Sequence, residues 1–330
     1  MAAVAGAVAP ALWLRRSLAE NGLLAGLMAA YVGVCTILAA QAHVAFSLGI
    51  YKGLWLGAAI AVAAVAVFRA KLPAAWRLPE RFVLAAPVLL VGPAFFSAFT
   101  SMKSGIAHFH PYDWDPILAA WDRRLLGDDA WRLLQPAFDK PPVTFLLSVL
   151  YSAWHPAMVL IFGGLVFSLG NPRLRAQALI ALVGAWTLLG TWAATLLASV
   201  GPCFAGPLRL GDGAAFAAQA AYLRQADQAL PIWEFAEQGR LLSAEAMGTP
   251  IIGSGISAMP SMHIAVAMLM MLVGWRSSRL AGVIGTAYLA VIVVASIHLG
   301  WHYAVDGLAA MAGAGAIWWV SGQVAKRIAP

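Results

Sequence analysis

Two short stretches carry most of the residues able to do chemistry in the apolar part of this chain. They are Ala258-Met259-Pro260-Ser261-Met262-His263 and His298-Leu299-Gly300-Trp301-His302-Tyr303-Ala304-Val305-Asp306. Pro260 and Ser261 read as a helix start. A helix N-terminus offers unpaired N–H groups and a positive dipole end, which suit a phosphate, and Ser261 adds a hydroxyl. His263 follows within one turn, where an imidazolium can protonate a leaving oxygen. His302 and Asp306 are four residues apart and so share one helical face. A carboxylate there can hold one imidazole nitrogen and leave the other free to attack. Asp306 is the only acidic residue placed within an expected span, and a carboxylate at membrane depth is costly enough to imply function. A metal site is the rival: His298, His302 and Asp306 recur every four residues, and one face could offer all three to a cation. Gly300 breaks that face between the histidines, so no metal is expected. His298 is grouped with the substrate-binding candidates.

The elements that position these residues follow from composition. Of 330 residues, 62% are apolar and 11% charged, with mean hydropathy +0.80. Soluble domains carry about 25% charged residues. The chain therefore reads as an integral membrane protein, and its net charge of +7 as a determinant of orientation rather than a nucleic-acid surface. Stretches of about 20 apolar residues fall at roughly 22–41, 53–69, 82–99, 143–168, 177–199, 262–275, 279–297 and 303–321. The sixth is short and reads as partly surrounded by its neighbours. Arg15-Arg16 precede the first, which has no clear cleavage site and reads as a retained helix rather than a signal peptide. Cys35 and Cys203 read as two unpaired thiols.

With the N-terminus inside, 12 of the 21 basic residues (Arg15, Arg16, Arg69, Lys71, Arg77, Arg81, Arg173, Arg175, Arg276, Arg279, Lys326 and Arg327) fall on the inner side against two acidic ones. The outer side holds 9 basic and 12 acidic residues. That asymmetry fits the positive-inside rule. It places both termini in the cytoplasm and the starts of helices six and eight together on the outer side. Localisation in a bacterial inner membrane is expected, with the site facing the periplasm. Three regions are expected: N-terminal spanning helices over 1–100, outer interfacial helices over 101–142, and a catalytic core over 143–330 with 200–258 as an outer lid. In the second region Asp115-Pro116 reads as an N-cap and N1 pair. Ile117, Leu118, Trp121 and Leu125 form an apolar stripe for docking on the bilayer or the bundle. Gly127 ends that helix, and another starts near Asp129. The 200–258 connection is expected to be helical near 213–246, and a long ordered connection above a site reads as a lid or headgroup selector.

Pro-Ser-x-His followed by His-x-x-x-Asp resembles the type-2 phosphatidic acid phosphatase superfamily. The runs 258–263 and 302–306 are most similar to its inositol phosphorylceramide synthase (inositolphosphotransferase) branch. The resemblance covers the last three spans. It implies metal-independent phosphoryl transfer through a phosphohistidine, without a cofactor. His302 is then the nucleophile, Asp306 its orienter and His263 the general acid, with Ser261 and backbone N–H groups on the phosphate. It also implies a six-helix phosphatase-type core within the all-α bundle of about eight spans. The chain departs from the phosphatase pattern where Ala295-Ser296 stand for Ser-Arg, and where Lys103, six residues and His110-Pro111 stand for Lys, six residues and Arg-Pro, far from the second motif. Lys103 and Arg209 are the candidates for a rebuilt phosphate clamp.

The function expected is transfer of a phosphoryl or phospho-headgroup unit, phosphoinositol-like, between membrane lipids. The alternatives are a metal-independent phosphatase of phosphatidate or polyprenyl phosphate and, in another class, a proton-coupled transporter. The partners expected are a lipid substrate and the membrane, with no nucleic acid; the sequence leaves the oligomeric state open.

Overall fold

The computed structural model describes residues 2–68, 71–210 and 213–329, with side chains from Leu12 onward. The end of the second expected span and one inner-side cation, Arg69, lie outside the described residues. The described chain is all-helical, as apolar segments must be when their backbone groups have no water to bond. Among the described residues six helices are long and apolar enough to cross a membrane, and two shorter apolar ones accompany them. The protein is a polytopic membrane helix bundle.

Helix α1 (Ala2–Gln41) packs along α3 (Leu78–Ser104), and α2 (Lys52–Phe68) lies against α3 with no buried residue of its own. Two short helices follow, α4 (Asp115–Leu126) and α5 (Ala130–Phe138). The next spans are α6 (Pro141–Val166) and α7 (Pro172–Leu196). Each contains a π-helical stretch, Val159–Gly163 in α6 and Ala185–Ala193 in α7. The long connection then holds α8 (Ala217–Ala229) and α9 (Trp233–Met247), inside the range expected to be helical. The chain ends with α10 (Met262–Ser277), α11 (Arg279–His298) and α12 (Ala304–Ile328).

The short α10 is enclosed rather than lipid-facing. Ile264, Ala265, Val266 and Leu269 are fully or almost fully buried in the main core, against α11, α12 and α7. A 16-residue helix can sit there because its neighbours, not its own length, span the apolar layer. At the far end of the bundle, Arg175 is buried and paired with Glu20, which also takes Arg16 Nε at 2.5 Å. Glu20 lies within α1, which extends back beyond its expected start, so Asp306 is not the only acid inside a long apolar helix. Both cysteines are free.

Helix α4 departs from expectation at its start. Its N-cap is Trp114, and Asp115 is its first residue with no capping bond. The Asp115 carboxylate instead accepts the N–H groups of Val200 (2.9 Å) and Gly201 (2.8 Å) and the Tyr303 hydroxyl (3.0 Å). The docked face is Asp115, Leu118, Ala119 and Asp122, while Ile117, Trp121 and Leu125 of the apolar stripe are exposed. Two buried acids can face the bundle because each finds backbone donors there. Outside a membrane core an apolar stripe need not point to protein.

Candidate active site

The turn between α11 and α12 is built before any side chain is considered. Gly300 takes φ +80°, which lets the chain fold back so that the Ser296 carbonyl accepts from Trp301 N (2.9 Å) and His302 N (3.2 Å). The 200–203 segment lies flat against this turn: Cys203 N donates to Gly300 O at 2.8 Å. Gly201 (φ +86°) is required at that contact, because a Cβ there would sit 2.4 Å from the Trp301 carbonyl oxygen. Helix α4 clamps the other side. The Asp122 carboxylate accepts Ala304 N (2.8 Å) and Val305 N (2.9 Å), two of the orphan donors at the start of α12. Burial raises the carboxyl pKa of both Asp115 and Asp122, and the N–H groups they accept oppose that shift.

His302 thus stands on a fixed turn one residue before the N-cap of α12. Its Nδ1 lies 3.3 Å from Asp306 Oδ2, which also accepts Tyr303 N at 3.0 Å. Asp306 is fully buried and its Oδ1 has no hydrogen-bond partner among the described residues. The Nδ1 contact leaves Nε2 as the second ring nitrogen of His302, and the residue lines the main cavity.

His263 reaches the same cavity from the first turn of α10. The N-termini of α10 and α12 meet, with Ser261 N donating to the Asp306 carbonyl at 3.4 Å. The His263 ring stacks on Tyr151 (4.5 Å between centroids, 21° between planes) and packs on Trp154 at 4.4 Å. Trp154 Nε1 also donates to the His263 carbonyl at 2.9 Å. The two imidazoles are 6.4 Å apart between centroids, about the gap that a single tetrahedral anion with its hydrogen bonds fills.

Other expected residues are not all brought here. Lys103 is: it lines the cavity and makes no ion pair with any described residue. Gly255 (φ +97°) allows this close approach, since a Cβ there would meet the Lys103 backbone at 2.6 Å. Ser261 is fully buried as the N-cap of α10, its Oγ accepting from Ile264 N at 3.4 Å, and it does not line the cavity. His298 is turned away, its Nε2 3.0 Å from Thr144 Oγ1, because Gly300 ends the helical register before His302. The three-residue face considered for a cation is therefore not built. Arg209 is exposed and does not line the cavity. Sequence reading passed over His155, which lines the cavity with its ring 5.9 Å from that of His263 between centroids. It also passed over Glu234, Glu237 and Arg240 of α9, which close one end of that cavity. Their i, i+3, i+6 spacing was the available signal.

The cavity itself is about 1330 Å³, beyond the roughly 300–1,000 Å³ usual for small-molecule sites. From the histidines it runs between α2, α3 and α6, past Leu54, Gly57, Leu89, Phe96, Val159 and Phe162. Its wall joins polar residues around the histidines to apolar ones from α2, α3 and α6, a lining that suits a phospholipid.

Residues 116–320 match the family described as the PAP2 superfamily. No curated protein and no solved structure matches the chain.

Proposed function

The chain belongs to the PAP2 superfamily, a phosphatase and phosphotransferase family, and from that premise we propose that it moves a phosphoryl or phospho-headgroup unit between membrane lipids through a phosphohistidine. The observation that carries this reading is the His263–His302 pair, 6.4 Å apart with Asp306 behind His302, at the polar end of a lipid-sized cavity.

The chemistry follows from those positions. With Nδ1–H donated to Asp306, His302 Nε2 carries the lone pair and attacks phosphorus. The bond from phosphorus to the leaving oxygen breaks, and His263 gives that oxygen its proton. In the second half an acceptor hydroxyl surrenders its proton to His263 and attacks phosphorus, and the P–N bond breaks. Lys103 neutralises the phosphate oxygens, and the α10 N-terminus adds its positive dipole end. A lipid alcohol as acceptor makes the protein a transferase, and water makes it a phosphatase. The enclosing connection over 200–258 favours transfer, because α9 and the 252–257 run line the cavity above the histidines and shield an intermediate from water.

The reading places both termini in the cytoplasm of a bacterial cell and the site at the outer leaflet of its inner membrane. The 101–142 region then acts as an outer brace and 200–258 as a lid. Purified protein given labelled phosphatidylinositol, phosphatidate or polyprenyl phosphate, with and without ceramide or diacylglycerol, tests it. New phospholipid support transfer, and free phosphate alone supports hydrolysis. Turnover that survives orthovanadate, or stops with EDTA, overturns the phosphohistidine reading.

A further inference from the structure

The polar end of the cavity contains a group that phosphate chemistry does not use. Glu234, on the first turn of α9, is 4% exposed and lines the cavity with His263 and His302. Its Oε1 accepts the Ser152 hydroxyl at 3.1 Å, while its Oε2 is buried with no hydrogen-bond partner among the described residues. A second bond to the same helix holds the position, since Trp233 N donates to Ser148 Oγ, one turn before Ser152 on α6, at 3.1 Å. Ser152 adjoins Tyr151, the residue stacked on His263, so the carboxyl group is fixed to the helix that carries the catalytic wall.

A buried carboxylate oxygen without a donor costs about as much as a lost hydrogen bond. The neighbouring cations do not meet that need. Arg240 is committed to Glu237 through Nε (2.8 Å) and Nη2 (2.5 Å), and to the Ile252 carbonyl through Nη1 (2.9 Å). Lys103 makes no ion pair with Glu234 or any other described residue. A phosphate oxygen would be repelled. The group that suits Glu234 is therefore a hydrogen-bond donor, and the cavity that Glu234 lines is where a ligand meets it.

We propose that Glu234 receives an O–H or N–H donor carried by the lipid substrate on the part of its headgroup beyond the phosphorus, and so sets headgroup specificity. The inference rests on the phosphate chemistry proposed above. It divides the polar end into two subsites: Lys103 and the histidines take the anion, and Glu234 takes the donor. Burial raises the Glu234 carboxyl pKa, opposed by the hydrogen bond from Ser152. A hydroxylated headgroup and an ammonium headgroup share the required chemistry, and one variant separates them.

The full chain in detergent micelles is given phosphatidylinositol, which carries hydroxyls, phosphatidylethanolamine, which carries an ammonium, and phosphatidate, which carries neither. Orthovanadate inhibition reports the phosphate subsite alone. In Glu234→Ala the KM of the donor-bearing lipid rises on the order of ten- to a hundredfold, while the vanadate inhibition constant holds within about twofold. Glu234→Gln keeps an acceptor oxygen without charge, so it restores a hydroxyl lipid but not an ammonium lipid. Should Glu234→Ala fail to fold, Glu234→Asp decides, because it keeps the charge but retracts it by one methylene, and the same KM rise is expected. An unchanged KM against an unchanged vanadate constant overturns the inference. Wild-type turnover confined to phosphatidate overturns it too, and leaves the phosphate chemistry standing. A wild-type protein insensitive to vanadate overturns that chemistry, and this inference with it.

Discussion

Replacing Asp306 with Asn tests the role of the buried carboxylate while changing its size little. In the structure Oδ2 lies 3.3 Å from His302 Nδ1 and 3.0 Å from Tyr303 N, and the residue is fully buried. When Nε2 bonds to phosphorus the ring gains positive charge. A carboxylate at that distance stabilises such a charge by about 5 kcal/mol at an effective dielectric of 20. The Asn carbonyl can still accept one hydrogen bond, worth about 1 kcal/mol. The difference of about 4 kcal/mol converts to a fall in kcat of roughly 10³-fold. The Tyr303 N–H keeps an acceptor, so the α11–α12 turn should persist. The assay is single-turnover release of labelled product from lipid in micelles, with vanadate-induced thermal stabilisation as a check that the pocket remains. A kcat within tenfold of wild type, in a variant that still binds vanadate, would refute the claim that Asp306 stabilises a charged His302.

Two further outcomes follow from the same geometry. Lys103→Ala removes the cation that faces the cavity without an ion pair, so vanadate should bind roughly 10- to 100-fold more weakly, and Lys103→Arg should recover part of that loss. Equal vanadate affinity in the Ala variant would remove Lys103 from the phosphate subsite. Asp122→Ala strips the acceptor from the Ala304 and Val305 N–H groups, 2.8 and 2.9 Å away. It should destabilise the protein by about 2–4 kcal/mol, read as a lower thermal midpoint in detergent, and slow turnover through misplacement of His302. An unchanged midpoint would show that α4 does not brace the turn.

The sequence carried the chemistry of α12 because that chemistry is local. His302 lies just outside the helix rather than on one of its faces, yet the pair still forms, because the Asp306 carboxylate folds back over the N-cap to reach both Tyr303 N and His302 Nδ1. The spans were legible for the same reason, since each is a continuous apolar run. What failed was reach and direction. Asp115 serves Val200, Gly201 and Tyr303, and Asp122 serves Ala304 and Val305, across separations no local pattern encodes. Periodicity gave α4 one apolar face for bilayer or bundle, and the structure buries Leu118 of it while Ile117, Trp121 and Leu125 stay exposed. His298 was grouped with His302 by spacing, and the backbone reversal at Gly300 separated them. Glu234 lay unnoticed among the charges of a connection, because its burial depends on α6 closing over it.

The central claim is that His302 forms a covalent bond to phosphorus, and the most direct measurement is to look for it. Enzyme mixed with lipid labelled at phosphorus is quenched in alkali within the first turnover, digested and sequenced by mass spectrometry. The account predicts an acid-labile label on His302, absent in His302→Ala and accumulating when acceptor is withheld. A turnover-competent protein that carries no label, or carries it on another residue, would contradict it.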